Sequence, residues 1–415
     1  MEPVTPVTVV GLDAAGAPPH PALAPALAAA GLVVGAARHL AAVRVPPGAA
    51  TVALGPLAPA VRQLTAAVAA GVPAVVLASG DPGLFGIVRR LRAAGLPLRV
   101  VPAVSSVAAA FARAGLPWDG AAVVTAHGRD PRPALNACRA LPLVAVLTAP
   151  GAGATELGAG LAGWSRRLVV AEHLGTDAER VREVTPAQAA AETWSDPHVL
   201  LSIAPPDPAR SDRVEAAPTG GMRWNNQPAA APAGGWALPE IRYAHRDSMI
   251  TKSEVRALAV ARLHPGLGRL VWDIGAGSGS VGIECALLGA AVLAVEQDVD
   301  SGATIRANAA AHAVDVRLVV GRAPAVLTGL PEPDAVFVGG GGTDVLAAVV
   351  ARRPDRVVLT LAALDRVAPA VGVLRAAGYT VEGSQLSAAR LADLPGGSIR
   401  LAATNPVVVL TGERP

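Results

Sequence analysis

Three glycines at alternate positions, Gly275, Gly277 and Gly279, lie in "VWDIGAGSGSVGIECA", between an apolar run that reads as a buried strand and a run that reads as a helix. Small residues at such a turn let the backbone approach a ligand, and the helix N-terminus beyond it offers unpaired N–H groups. A dinucleotide fingerprint puts its third glycine one place later, where this chain has Ser280. Asp273 stands just before the turn. A carboxylate there favours a cationic ligand over a pyrophosphate, and so S-adenosyl-L-methionine over NAD. Glu296 follows Gly275 by 21 positions and ends the next apolar run, where an acid can accept hydrogen bonds from both ribose hydroxyls. In "DAVFVGGGG", Gly339 and Gly340 open another glycine-rich turn directly after an apolar run. Each feature alone is compatible with a tight turn; their combination reads as a cofactor site.

Upstream lies "HRDSMITKSEVRALAVARL", where Thr251 precedes Glu254 by three residues, a capping-box spacing, and Val255, Leu258, Ala259 and Leu263 follow with helical period. Lys252 is the single lysine among 35 basic residues, which marks a compact ammonium in a chain that otherwise uses arginine. A second glycine-containing turn, "SGDPG", holds Gly80 and Asp81, and Ser105 and Ser106 sit where a helix should open. His127 in "TAHGRD" reads either as an acid, base or substrate contact or as a structural histidine.

The elements that must position these residues alternate. From Thr5 to about Ile203, "PAVVLA", "LRVVPA", "AAVVTA", "LVAVLT" and "RLVVAE" alternate with alanine-rich stretches of helical length, the pattern of an α/β domain. Residues 206–238, rich in Pro, Gly and Ala without a usable period, read as a linker between domains at 1–205 and 239–415. From Gly268 onward strands and helices alternate again, which predicts a doubly wound sheet.

Composition narrows the classes. Of 415 residues, 52% are hydrophobic and 3% aromatic, so the cores must be built from Ala, Val and Leu. The net charge of +3 comes without a basic tract interleaved with aromatics, which argues against nucleic acid. No apolar stretch has the length of a membrane span and the N-terminus lacks a signal-peptide pattern, so a cytoplasmic protein is expected. Cys138 and Cys285, far apart and without His or acid at ligand spacing, predict buried thiols and no metal site. The Asn-Pro-Pro-aromatic signature of many amide- and nucleobase-methylating enzymes is absent after "DAVFVGGGG".

"RDSMITKSEVRALAVARL", "WDIGAGSGSVGIE" and "DAVFVGGGG" together resemble the decarboxylating methyltransferases of cobalamin biosynthesis. "ASGDPGLFGI", "VPAVSSVAAAFARAGLPWDGA", "TAHGRD" and "AEHLGTDAERV" resemble the tetrapyrrole methylases of the same pathway. The resemblance implies a two-subdomain tetrapyrrole methylase fold followed by a Rossmann-like, class I S-adenosyl-L-methionine methyltransferase fold. It further implies methylation of precorrin-6B at ring carbons 5 and 15 with loss of the ring C acetate carboxyl, and a homo-oligomer built from dimer and tetramer contacts. Carried over residue by residue, it makes His245, Met249, Thr251 and Lys252 the candidate catalytic residues and places Gly80, Asp81, Ser105 and Ser106 at a first cofactor site. The opening turn "GLDAAGAP" departs from the family pattern by carrying Asp13, Ala14 and Ala15 where glycine is usual. The many carboxylates of a corrinoid precursor give Arg242, Arg246 and Lys252 a partner. A methyltransferase for another tetrapyrrole-like substrate with one active half, an NAD-linked oxidoreductase and a non-catalytic tetrapyrrole carrier are the competing readings; the last has no use for Asp273 with Glu296.

Overall fold

A computed structural model describes residues 5–13, 20–196, 198–205, 236–246 and 250–415. Most of 206–238, and with it most of the expected linker, lies outside them, as do Met249, Ala14 and Ala15.

The first half holds two sheets. One is wholly parallel, with strands β1 (Val7–Leu12), β2 (Leu32–Gly35), β3 (Ala50–Ala53), β4 (Ala74–Ser79) and β5 (Leu98–Val101) in the order β3-β2-β4-β1-β5. The central strands β1, β2 and β4 are runs of Val and Leu buried on both faces, as parallel sheets require, while β3 at the edge is largely exposed. The second sheet comprises β6 (Ala122–Thr125), β7 (Leu143–Leu147), β8 (Arg167–Glu172), β9 (Arg180–Val184) and β10 (His198–Ile203), ordered β6-β7-β10-β8-β9 and antiparallel except for the β6/β7 pair.

The second half is one seven-stranded sheet: β11 (Leu270–Ile274), β12 (Ala291–Glu296), β13 (Arg317–Val320), β14 (Ala335–Val338), β15 (Arg356–Leu361), β16 (Thr380–Leu386) and β19 (Val407–Glu413), in the order β13-β12-β11-β14-β15-β19-β16. The first five run parallel and β19 is antiparallel to both its neighbours. The order reverses at β11, so its carboxyl end is the switch point at which such sheets hold ligands. A ribbon of β17 (Ala389–Asp393) and β18 (Ile399–Ala403) is inserted before β19. Alternate residues divide the sheet's two faces: Val271, Val292 and Phe337 pack under helices Ser253–Leu263 and Ser280–Leu287, and Trp272, Leu293 and Val336 face the other side.

One expectation of local structure is corrected. The first helix of the second half begins at Ser253 with Lys252 as N-cap, so Thr251 lies outside it and makes no capping box. Glu254 is drawn away by Arg390 of the β17–β18 ribbon, 2.5 Å from its carboxylate, and the Ser253 N–H donates instead to Glu240 at 3.0 Å. Burial of Val255, Ala259 and Leu263 agrees with the helical period.

Both cysteines are buried, and burial raises their thiols, Cys138 to about 12. Among the described residues, no helix is long and apolar enough to cross a membrane.

Candidate functional sites

The glycine-rich turn is shaped by backbone that only glycine adopts readily. Gly275, Gly277 and Gly279 have φ of +68°, +56° and +74°, and Gly279 is the N-cap of helix Ser280–Leu287. A Cβ on Gly275 would lie 3.0 Å from the Gly340 nitrogen, so the turns after β11 and β14 touch backbone to backbone. Gly339 and Gly340 therefore serve this approach as well as any ligand.

Asp273 sits beneath the turn, 1% exposed, where its Oδ2 accepts from the Gly282 N–H at 2.9 Å. It thus ties strand to helix by satisfying an orphan donor of the first helical turn. Burial pushes its carboxyl up to about 7; the Gly282 hydrogen bond opposes the shift and the charge of Glu296 adds to it. Its Oδ1 is buried without a partner among the described residues. Glu296 ends β12, and its Oε2 accepts from the Gly277 N–H at 2.8 Å. Its Oε1 accepts from Gln297 and Asp298 at 2.8 and 3.0 Å, so the carboxylate is locked against the glycine turn. A carboxylate has about four acceptor positions and three are taken here, which leaves one for a ligand hydroxyl.

Beside this turn a cleft of about 850 Å³ opens between the carboxyl ends of β14 and β15 and the residues preceding helix Ser253–Leu263. Thr251, Lys252, Gly339 and Gly340 line it together. Arg366 lines it too, a cation that sequence reasoning missed because it ends a short 3₁₀ turn, Leu364–Arg366, that carries no motif. His245 is exposed and does not line the cleft. Its neighbour Ala244 is held by the Asn308 amide, which also donates to the Ser278 carbonyl at 2.9 Å, so His245 flanks the glycine turn. Arg246 lies 3.9 Å from Asp298, and Arg242 is exposed.

The segment entering the second half is pinned by a buried ion pair. Arg256 and Glu284, both with fully buried side chains, meet at 2.7 Å, and Glu284 also accepts from the Ala237 and Leu238 N–H groups and the Tyr243 hydroxyl.

In the first half a cleft of about 410 Å³ lies between the two sheets. Gly80 (φ +56°) is packed so closely that a Cβ would lie 3.2 Å from the Ser105 Cα. Asp81 accepts from the Gly83 N–H at 2.8 Å and thereby closes its own turn. Ser105 caps helix Ser106–Ala114 by accepting from Ala108 at 3.1 Å, while Ser106 lines the cleft. The cleft also gathers Asp13, Arg38, His39, Ser79 and His173. His39 Nε2 lies 2.8 Å from the Ser79 hydroxyl, to which Arg38 donates at 3.0 Å. Burial, and then Arg38, hold the His39 imidazole below its ordinary pKa. Arg38 and His39 sit on helix Ala37–Ala42, just beyond β2, where no motif marks them. His127 is exposed and outside this cleft.

Both halves thus present a cleft at the carboxyl ends of parallel strands, and the second has the topology and turn of a nucleoside-cofactor methyltransferase. The family model of tetrapyrrole (corrin/porphyrin) methylases matches residues 21–190, and that of the precorrin methyltransferase domain matches 242–410. A precorrin-6Y C(5,15)-methyltransferase [decarboxylating] of Sinorhizobium sp is 38% identical over 331 residues, covering 77% of this chain and 74% of that one. Its namesake in Mycobacterium tuberculosis H37Rv is 33% identical over 353 residues, covering 83% and 79%. A probable cobalt-precorrin-6B C(15)-methyltransferase (decarboxylating) of Pyrobaculum calidifontis is 35% identical over 171 residues, 39% of this chain and 87% of that one. The crystal structure of a precorrin-6Y C5,15-methyltransferase from Geobacter metallireducens is 33% identical, with a TM-score of 0.40, and covers 43% of this chain and 97% of that one. The chain belongs to the decarboxylating precorrin-6Y C(5,15)-methyltransferase family.

Proposed function

We propose that the chain methylates precorrin-6B twice with S-adenosyl-L-methionine, at ring carbon 5 in the first half (1–205) and carbon 15 in the second (239–415), joined through 206–238. The second site also removes the ring C acetate carboxyl as carbon dioxide, giving precorrin-8X in cobalamin biosynthesis. The carrying observation is the lock between Glu296 and Gly277 at the switch point of the sheet, opening beside a cleft that holds the chain's single lysine.

The residues fit the cofactor: glycine backbone gives close approach, Glu296 keeps an acceptor position, and the unpartnered Asp273 Oδ1 lies under the turn where positive charge would be welcome. When bound, the sulfonium supplies an electrophilic methyl group. The chain's own contribution is alignment and exclusion of water, worth roughly 7–11 kcal/mol in well-oriented cases. Lys252 and Arg366 hold the macrocycle's carboxylates over the Gly339–Gly342 lip, and Thr251 offers a hydroxyl beside them. Each net methylation exchanges a methyl cation for a proton. In the first half His39 would accept that proton through the Ser79 hydroxyl, which lies 2.8 Å from its Nε2 and lines the same cleft. In the second half the polarised macrocycle takes up the electron pair released with carbon dioxide, the arm's methylene then takes a proton from solvent to become a methyl group, the proton displaced from carbon 15 goes to solvent, and the cleft orients the arm.

Self-association belongs to the same reading, supported by Leu391, Ile399 and Leu401, 62–71% exposed on the β17–β18 ribbon. So does a cytoplasmic setting. The test is mass spectrometry of the product from precorrin-6B and methyl-labelled S-adenosyl-L-methionine. Two labels gained and one carbon dioxide lost are expected; one label without decarboxylation refutes the assignment of the silent half.

A further inference from the structure

The sheet of the second half lacks part of its own helical cover, and the first half supplies it. In a doubly wound sheet each face is layered by the helices that connect the strands. The face bearing Trp272, Leu293 and Val336 packs with helices Thr343–Ala351 and Val367–Ala376. Between β13 and β14, however, the only helical piece is a three-residue 3₁₀ turn, Ala325–Leu327, where a full connecting helix would otherwise lie over β12 and β13. Helix Arg132–Ala140 of the first half packs against β12 in that place. Ala291, Leu293 and Val295 are consequently 0–2% exposed, and one unbroken apolar cluster runs from Ala134 and Ala137 to Leu270 and Leu293.

Polar groups around this contact are also completed across it. The Arg166 side chain, 0% exposed, donates to the Cys138 and Arg139 carbonyls at the end of that helix, both at 2.6 Å, and reaches Asp315 of the second half at 2.5 Å. Without Asp315 it would be a buried cation facing only carbonyl dipoles. The Trp164 ring lies between the guanidinium of Arg139, 4.4 Å from its centroid, and that of Arg317, 4.6 Å away on the second half. Gly163 leaves room for this, since a Cβ there would lie 2.6 Å from the Arg317 guanidinium carbon. Asn136, 3% exposed, donates to the Gly268 carbonyl at 3.0 Å and to Asp334 at 3.3 Å.

We infer that the two halves form a docked pair in solution, held by this face and not merely by the intervening segment. Helix Arg132–Ala140 acts as the missing layer of the second sheet, and Asp315 and Arg317 act as its polar latch. The test uses the full chain with a site for a sequence-specific protease placed within 206–235 and an affinity tag at the N-terminus. After cleavage on the resin, the C-terminal fragment is expected to stay bound through washing. Asp315→Arg combined with Arg317→Ala, both at half-buried positions, should release that fragment at least tenfold faster while far-UV circular dichroism stays unchanged. Loss of the parent fragment on cleavage, or a double variant retained as firmly as the parent, overturns the inference. The readout is retention and not methylation, so it stands or falls apart from the proposed activity.

Discussion

At the scale of single residues, the second site turns on two acids treated in opposite ways. Asp273 is buried with one oxygen unpartnered and its carboxyl pushed up to about 7. An unfolded aspartate titrates near about 4, so between roughly pH 4 and 7 the folded chain holds a proton that the unfolded chain has lost. Stability should therefore fall as pH rises through that window, by up to about 4 kcal/mol, and level off above it. Asp273→Asn keeps an acceptor for Gly282 and removes the charge, so urea midpoints of this variant should lose that pH dependence; an unchanged slope would sink the argument. Glu296, by contrast, is bonded to three backbone N–H groups and is fixed as an acceptor. Glu296→Gln sets an amide donor against those N–H groups and should weaken the charge-assisted bond to the ribose proposed above, worth about 1.5–3 kcal/mol. Calorimetry should show S-adenosyl-L-methionine binding to the second half weakened roughly tenfold to a hundredfold. Unaltered affinity would mean that the ribose is held elsewhere.

At the scale of elements, the site depends on how strand ends, turns and helices are clamped to one another. Glu284 joins helix Ser280–Leu287 to helix Ser253–Leu263 through Arg256, and both side chains are fully buried. Removing one charge strands the other, so Glu284→Gln or Arg256→Met should cost about 3–5 kcal/mol, visible as a lowered denaturation midpoint. Replacing both with apolar residues of similar volume should recover much of that loss; a double variant as unstable as the singles would show that the backbone bonds to Ala237 and Leu238 matter more. Neither residue carried a motif, and this is where the sequence was least informative. Strands were legible because buried parallel strands are unbroken apolar runs, as in β4 and β11. The places of the glycine turn, Asp273 and Glu296 at the ends of β11 and β12 were legible because backbone geometry fixes their spacing. The start of helix Ser253–Leu263 was misplaced by one residue because Arg390, 136 positions downstream, claims Glu254. The His39–Ser79 contact was equally hidden, since it joins residues 40 apart, one on helix Ala37–Ala42 and the other at the end of β4.

At the scale of the whole molecule, two clefts on one chain raise the question of how the singly methylated intermediate travels. Arg38, Ser79 and His173 at the first cleft are exposed, and so are Gly339 to Gly342, Ala363 and Asp365 at the second. Each cleft thus opens to bulk solvent, and docking of the halves through helix Arg132–Ala140 and β12 uses a sheet face and not a carboxyl edge where either cleft lies. The intermediate should therefore leave one site and reach the other through solution. Two half-disabled full chains test this: His39→Ala, expected to lose roughly a hundredfold in the first methylation if its imidazole is the proton acceptor, and Glu296→Ala, expected to lose the second methyl together with carbon dioxide loss. Each alone should give at most one label per macrocycle. An equimolar mixture should restore the doubly labelled, decarboxylated product at a rate that rises with enzyme concentration, because the intermediate must find a different molecule. A mixture that stays singly labelled, while the parent makes the full product, would mean that the intermediate is passed within one chain and that the exposed clefts close during turnover.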